Sequence, residues 1–245
     1  MYVAFTITFQ KIRQKFFVWQ QLEHSHILPL YGTTDDFEVV PALVCPWMEN
    51  GSLNAYLEKI WRKQLPPLWL CDLIWTIHDE SVHSQNIIHG DLMPPNVLMD
   101  ENGNALLADF GLSRLLTDHE TSFFASNRPG AIRWAAPEII IPLNAERPNE
   151  VVDPNQASDI YSFGCIMMQV LSGRPPYFDM KLEPPVIVAK SQGDPSKRPE
   201  QPAISDVYWR YIERCWSTQI ETRPSVDQVL DYIKAEYDRH RLFSN

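Results

Sequence analysis

The sequence predicts an α+β fold in which a few strands come first and helices follow, with the division near Met48. Three observations carry it. Strand-like runs at 28–33 and 38–45 flank a polar turn at Asp35 and Asp36. Beyond Met48, apolar residues recur at helical spacing around 159–172, 205–216 and 225–240. Proline-rich breaks, at Pro175 with Pro176, at Pro184 with Pro185 and over 195–202, separate those helical patterns.

Taken in order, residues 3–9 alternate apolar and threonine positions and read as a short strand. Phe5, Phe9, Ile12, Phe16 and Trp19 also fit a helical stripe, and a helix is predicted over 11–22. Asn50 and Gly51 close the strand-bearing part, and Ser52 is placed to cap a helix from Leu53 to about residue 63. Pro66 and Pro67 break the chain before a helix carrying Leu70, Leu73, Ile74 and Ile77. The longest strongly apolar stretch, 163–171, is far too short to span a bilayer and reads as a buried helix.

An apolar fraction of 44% with 21% charged residues is ordinary for a soluble globular chain. A net charge of -10 argues against a nucleic acid or an anionic membrane as the main partner. Cys45, Cys71, Cys165 and Cys215 show no paired spacing for zinc or redox chemistry, so reduced thiols in a cytoplasmic or nuclear compartment are expected. Residues 1–9 lack the basic region and cleavage site of a signal peptide.

The chemistry is concentrated in His89-Gly90-Asp91-Leu92-Met93-Pro94-Pro95-Asn96, then Ala108-Asp109-Phe110-Gly111, then Ala136-Pro137-Glu138. In this order and spacing they resemble the catalytic loop, metal-binding loop and activation-segment end of protein kinases. Gly130-Ala131-Ile132-Arg133-Trp134 looks like the run before the last triplet in the tyrosine-kinase-like group. Ser158-Asp159-Ile160-Tyr161-Ser162-Phe163-Gly164, Cys215-Trp216 and Arg223-Pro224 look like the family's later helices. The likeness runs over roughly 11–232. It implies a bilobal protein-kinase-like fold, with an incomplete small β lobe at 1–48 (a helix and two to three strands) and a complete helical large lobe at 49–245.

The resemblance implies ATP-dependent phosphoryl transfer, Ser/Thr-directed, to a protein substrate whose identity is not readable. Asp91 would accept the substrate hydroxyl's proton, and Asn96 and Asp109 would supply hard oxygen ligands for Mg²⁺. Capping of turns is the alternative role for the two aspartates. Cys45, Pro46 and Met48 fall on the hinge, where adenine would bond the Pro46 C=O and the Met48 N–H over an apolar floor at Leu98. Pro46 could instead simply break an edge strand. Glu138 and Arg223 match a buried ion pair, Asp159 a helix-capping aspartate that holds the catalytic loop, and His89 a packed histidine of that loop. His78, His83 and His89 fit no common metal spacing.

Three departures set this chain apart from that pattern. The register set by Leu22, His24 and Ile27 leaves no room for a glycine-rich phosphate loop or its lysine strand. The helix glutamate that pairs with that lysine falls on Lys15, and the lysine two residues after the catalytic aspartate is Met93. Gly90 stands where an arginine usually receives a phosphorylated loop, leaving Thr117, Thr121, Ser122 and Ser126 weak switch candidates. Weak Mg·ATP binding and very slow transfer are expected, about 10⁴–10⁶ below an ordinary kinase if the lysine losses add. A pseudokinase scaffold and a non-functional fragment are the alternatives.

Overall fold

The computed structural model describes residues 19–34, 42–62, 88–109, 130–140 and 154–243. The expected first strands appear as a shorter antiparallel pair, β1 (Gly32–Thr34) and β2 (Ala42–Val44), with Gly32 opposite Val44. The Tyr31 N–H extends the pairing by donating to the Val44 carbonyl at 2.8 Å. Trp19 and Gln20 are helical, and the rest of the helix predicted over 11–22 lies largely outside the described residues. So do the strand at 3–9, the turn at Asp35 and Asp36, and the helix after Pro67.

Ser52 caps α1 (Leu53–Arg62): the Ala55 N–H donates to Ser52 Oγ at 3.5 Å. Leu53, Leu57 and Ile60, spaced to share one helical face, are buried in the core.

Two strands fall beyond Met48, where mostly helices were expected. β3 (Val97–Met99) and β4 (Ala105–Leu107) form an antiparallel hairpin with Val97 opposite Leu107. The Asp100 carboxylate accepts the Asn102 and Asn104 N–H groups at 2.9 and 2.8 Å, and Gly103 takes a φ of +87° that costs glycine little. Three residues per strand are too few for an alternating pattern to register. The hairpin ties back to the earlier chain, since Leu107 accepts from the Leu28 N–H and donates to the His26 carbonyl.

After the one-turn α2 (Pro137–Ile140) comes α3 (Gln156–Ser172), buried almost all round, with Phe163, Ile166, Met167 and Met168 fully enclosed. Its cap is Asn155, not Asp159. Asn155 Oδ1 accepts the Ser158 N–H and Ser158 Oγ accepts the Asn155 N–H, both at 3.0 Å, forming a capping box. Asp159 lies one turn in and is used elsewhere.

α4 (Glu183–Gln192) corrects a second expectation, because Pro184 and Pro185 were read as a break. They occupy its first turn, where a backbone N–H has no partner within the helix and the fixed proline φ suits it. α5 (Asp206–Cys215) and α6 (Val226–Phe243) follow. α3 and α5 meet closely at Gly164, where an added Cβ would lie 2.6 Å from Cys215 Cβ. Among the described residues, no helix is long and apolar enough to cross a membrane.

Candidate functional site

The loop before Asp91 is held from beneath by α3. The Asp159 carboxylate accepts the His89 N–H at 2.7 Å and the Gly90 N–H at 3.0 Å, and Gly90 takes a φ of +74° to present its amide. Burial pushes the Asp159 carboxyl up to about 7; the two N–H bonds oppose that rise and the nearby Asp91 charge adds to it. His89 is buried. Its Nδ1 accepts the Asp91 N–H at 3.3 Å, which puts the ring proton on Nε2, donated to the Ala108 carbonyl at 2.9 Å. One imidazole thus links Asp91 to the residue before Asp109.

Asn96 closes the short 3₁₀ turn Pro94–Asn96, its N–H bonded to the Met93 carbonyl at 2.9 Å. Its Nδ2 donates to the Asp91 carbonyl at 2.8 Å and to Asp91 Oδ2 at 3.0 Å, so its Oδ1 remains the acceptor end of the amide. The Ala108 N–H donates to the Asn96 carbonyl at 2.9 Å, and the pairing of Val97 with Leu107 sets Asp109 at the same end of the hairpin. Asp109 has a φ of +64°, a left-handed conformation costing a non-glycine residue about 1–3 kcal/mol and concentrated at functional sites. Asp91, Asn96 and Asp109 are therefore gathered at one hairpin end, with oxygen donors only.

That donor set suits Mg²⁺, which keeps most of its shell as water and phosphate and takes one or two protein oxygens. Among the described residues, no group of three His, Cys, Asp or Glu side chains forms a closed metal cage. Asn96 Oδ1 and the Asp109 carboxylate are the pair that fits.

On the other side, the strap after β2 is stitched to β3. The Met99 N–H donates to the Gly51 carbonyl at 2.8 Å, the Asn50 N–H to Met99 at 3.2 Å, and the Gly51 N–H to Met48 at 3.0 Å. Leu98 points opposite to the buried Val97 and Met99, and Cys45, Met48, Leu98 and Leu106 are all partly buried against the core. Burial raises the Cys45 thiol pKa, and the Asp109 carboxylate raises it further, an electrostatic link between this strap and the hairpin. Among the described residues, no hydrogen bond takes the Pro46 C=O or the Met48 N–H.

A buried frame surrounds these loops. Glu138 and Arg223 form the expected pair, bidentate at 2.5 and 2.9 Å, and Arg223 also donates to the carbonyls of Ala157 and Ser217, each at 2.9 Å. Ser162 Oγ donates to the Trp134 carbonyl at 3.0 Å, and Arg133 donates to the carbonyls of Pro176, Tyr177 and Met180. Those last anchors were not read from the sequence; a serine on an apolar helix and a lone arginine carry little signal. Met93, 2% exposed, is packed in the core. Lys11, Lys15, His78, His83, Phe110, Gly111 and the hydroxyl residues from Thr117 to Ser126 lie outside the described residues.

A family model for protein tyrosine and serine/threonine kinases matches residues 6–233. The chain is 32% identical over 228 residues to human receptor-interacting serine/threonine-protein kinase 3, covering 85% of this chain and 41% of that protein. It is 31% identical over 217 residues to mouse ephrin type-A receptor 1, covering 87% of this chain and 21% of that one. A "probable serine/threonine-protein kinase" of Dictyostelium discoideum is 32% identical over 222 residues, 86% of this chain and 15% of its own length. The chain thus spans well under half the length of these relatives.

Proposed function

This chain belongs to the protein tyrosine and serine/threonine kinase family, and from that premise we propose that it transfers the terminal phosphoryl group of Mg·ATP, slowly, to a serine or threonine hydroxyl of a protein. The observation that carries this reading is the bond from Asn96 Nδ2 to Asp91 Oδ2 at 3.0 Å, with Asp109 at the same hairpin end. Asn96 fixes the direction of the Asp91 carboxylate, so Asp91 can orient the acceptor hydroxyl and take its proton. Asn96 Oδ1, the acceptor end of the amide, and the Asp109 carboxylate are the oxygens a shared cation would take. Mg·ATP, when bound, supplies the phosphoryl group and neutralises charge on its oxygens. Pro46 C=O and Met48 N–H would hold the purine edge above Leu98. The human and Dictyostelium relatives, both named as serine/threonine-protein kinases, support the serine/threonine choice.

A second reading, a pseudokinase acting as a binding module, is favoured by Met93. At 2% exposure it offers an apolar side chain, packed into the core, where a kinase carries a phosphate-facing lysine. Losing one such group costs about 10²–10³ in rate.

Labelled ATP with Mg²⁺ and a generic protein acceptor separates the two. Slow transfer onto serine or threonine, abolished by Asp91→Asn, is expected. Calorimetry should show weak Mg·ATP binding, little tighter than adenosine. Nucleotide binding with no transfer above the Asp91→Asn background would overturn the enzyme reading and leave the binding module.

A further inference from the structure

Lys190, on the inner face of α4, is 3% exposed, and its Nζ donates to the Ala135 carbonyl at 2.5 Å. Two aromatic faces enclose the ammonium, Tyr161 of α3 at 4.6 Å and Tyr177 at 5.4 Å from the ring centroids. A buried lysine is expensive and is rarely kept for packing alone. This one is spent on a backbone carbonyl in the stretch between Gly130 and Glu138.

Among the described residues, that stretch is tied to the rest of the fold through side chains. The Glu183 carboxylate of α4 accepts the Gly130 N–H, and Arg133 reaches the carbonyls of Pro176, Tyr177 and Met180. Further contacts come from α3, among them Gln169, which accepts from Trp134 Nε1 at 3.0 Å. Asp159 holds the loop leading to Asp91, Ser162 holds the Trp134 carbonyl, and Tyr161 lies under Lys190. Asp159 and Ser162, three residues apart, lie on one face of α3, so the loop leading to Asp91 and the Trp134 carbonyl are held over the same face of the helix, while Tyr161 projects from its other side to Lys190. On the phosphoryl-transfer reading, a polypeptide whose hydroxyl reaches Asp91 passes close to Trp134 and Ala135.

We propose that Lys190 is a positioning residue for the polypeptide substrate, its ammonium fixing the Ala135 carbonyl and with it the wall beside Asp91. The substrate part of this inference rests on the phosphoryl-transfer reading above; the anchoring part does not.

The anchor also has a pH signature. Burial lowers the Lys190 pKa from 10.5 to about 8, with Arg223 and Arg133 acting in the same direction and Cys165 and Glu138 opposing. The Tyr161 and Tyr177 hydroxyls, pushed up by burial, stay neutral throughout that range. The folded chain sheds this proton before the unfolded chain does, so between about pH 8 and 10.5 this group adds to global stability. Over the same range the neutral amine becomes a weaker donor and residues 131–136 loosen. Global and local stability therefore move in opposite directions.

The test is amide hydrogen exchange on the whole chain, with Lys190→Met and Lys190→Arg beside the parent. Lys190→Met should lower protection of residues 131–136 by about tenfold or more, with a Tm no lower than the parent's. Parent protection there, corrected for intrinsic exchange, should fall between pH 7 and 9, and the Met variant should lack that step. Lys190→Arg, which keeps its charge, should retain protection across the range. Unchanged protection in Lys190→Met, or a loss of Tm with uniform loss of protection, would overturn the proposal. In transfer assays Lys190→Met should raise KM for the protein acceptor more than it lowers kcat; the reverse split would remove the substrate role. If the parent transfers nothing while the exchange results hold, the phosphoryl-transfer reading fails and the anchor stands.

Discussion

Around Asp91 the backbone is held by buried charged and polar side chains, whereas around Cys45 it is held mainly by other backbone, with the partly buried Asn50 side chain, bonded to the Asp100 carbonyl, as the side-chain contribution. Asp159 grips two amides, Arg223 grips Glu138 and two carbonyls, and Lys190 and Arg133 grip four more carbonyls between them. The strap from Cys45 to Gly51 relies on main-chain bonds to β3 and on three-residue strands, and Trp47 within it is 82% exposed. The difference predicts where single substitutions matter. A side-chain anchor can be deleted by one mutation, while a main-chain stitch survives nearly all of them.

The largest effect should come from Glu138→Ala. It leaves the Arg223 guanidinium buried without its carboxylate, costing about 3–5 kcal/mol and lowering Tm by about 6–20 °C. An unchanged melting curve would break the comparison at its strongest point.

Asp159 comes next. Removing its carboxylate strands two amides, at about 1–3 kcal/mol each. Its raised folded pKa, about 7 against 3.8, means the folded chain holds this proton longer than the unfolded chain. Its contribution is fully present below about pH 4 and is lost as pH rises through 7. Denaturant midpoints measured across that window should decline, and the Asp159→Asn variant should show a flatter profile.

Gly164→Ala tests the frame at its tightest contact. The new methyl meets Cys215 Cβ at 2.6 Å, so α3 and α5 must separate, at about 1–3 kcal/mol by thermal or denaturant unfolding. On the hinge side, Trp47→Ala should change stability by no more than about 0.5 kcal/mol. A larger loss would show that the strap depends on its side chains after all.

How far the sequence revealed this arrangement depended on how many residues share a signal. That Asp91, Asn96 and Asp109 lie together was readable because the kinase motifs come as an ordered set, and the Glu138–Arg223 pair followed from the same register. The hairpin of β3 and β4 was missed although Asn102 and Gly103 mark its turn, since its strands are too short to show periodicity. α4 was hidden by Pro184 and Pro185, which break a helix interior but suit a first turn. Asp159 was recognised as the loop's holder yet credited with the cap that Asn155 makes. Lys190 had no signature at all, because its meaning lies in Tyr161, Tyr177 and Ala135, brought together only by the packing of α4 against the 131–140 stretch.

The strap between β2 and α1 also bears on inhibitor chemistry. With the purine seated as proposed, a hinge-directed compound meets one acceptor at Pro46 and one donor at Met48. The next carbonyl in line, that of Met48, is already engaged by the Gly51 N–H at 3.0 Å. Scaffolds that make three hinge contacts would have to displace an internal turn, while two-point scaffolds would not. The Cys45 side chain has a thiol whose pKa is raised by burial and by Asp109, which dampens reaction with electrophiles. Reversible two-point ligands are the compounds this strap should select.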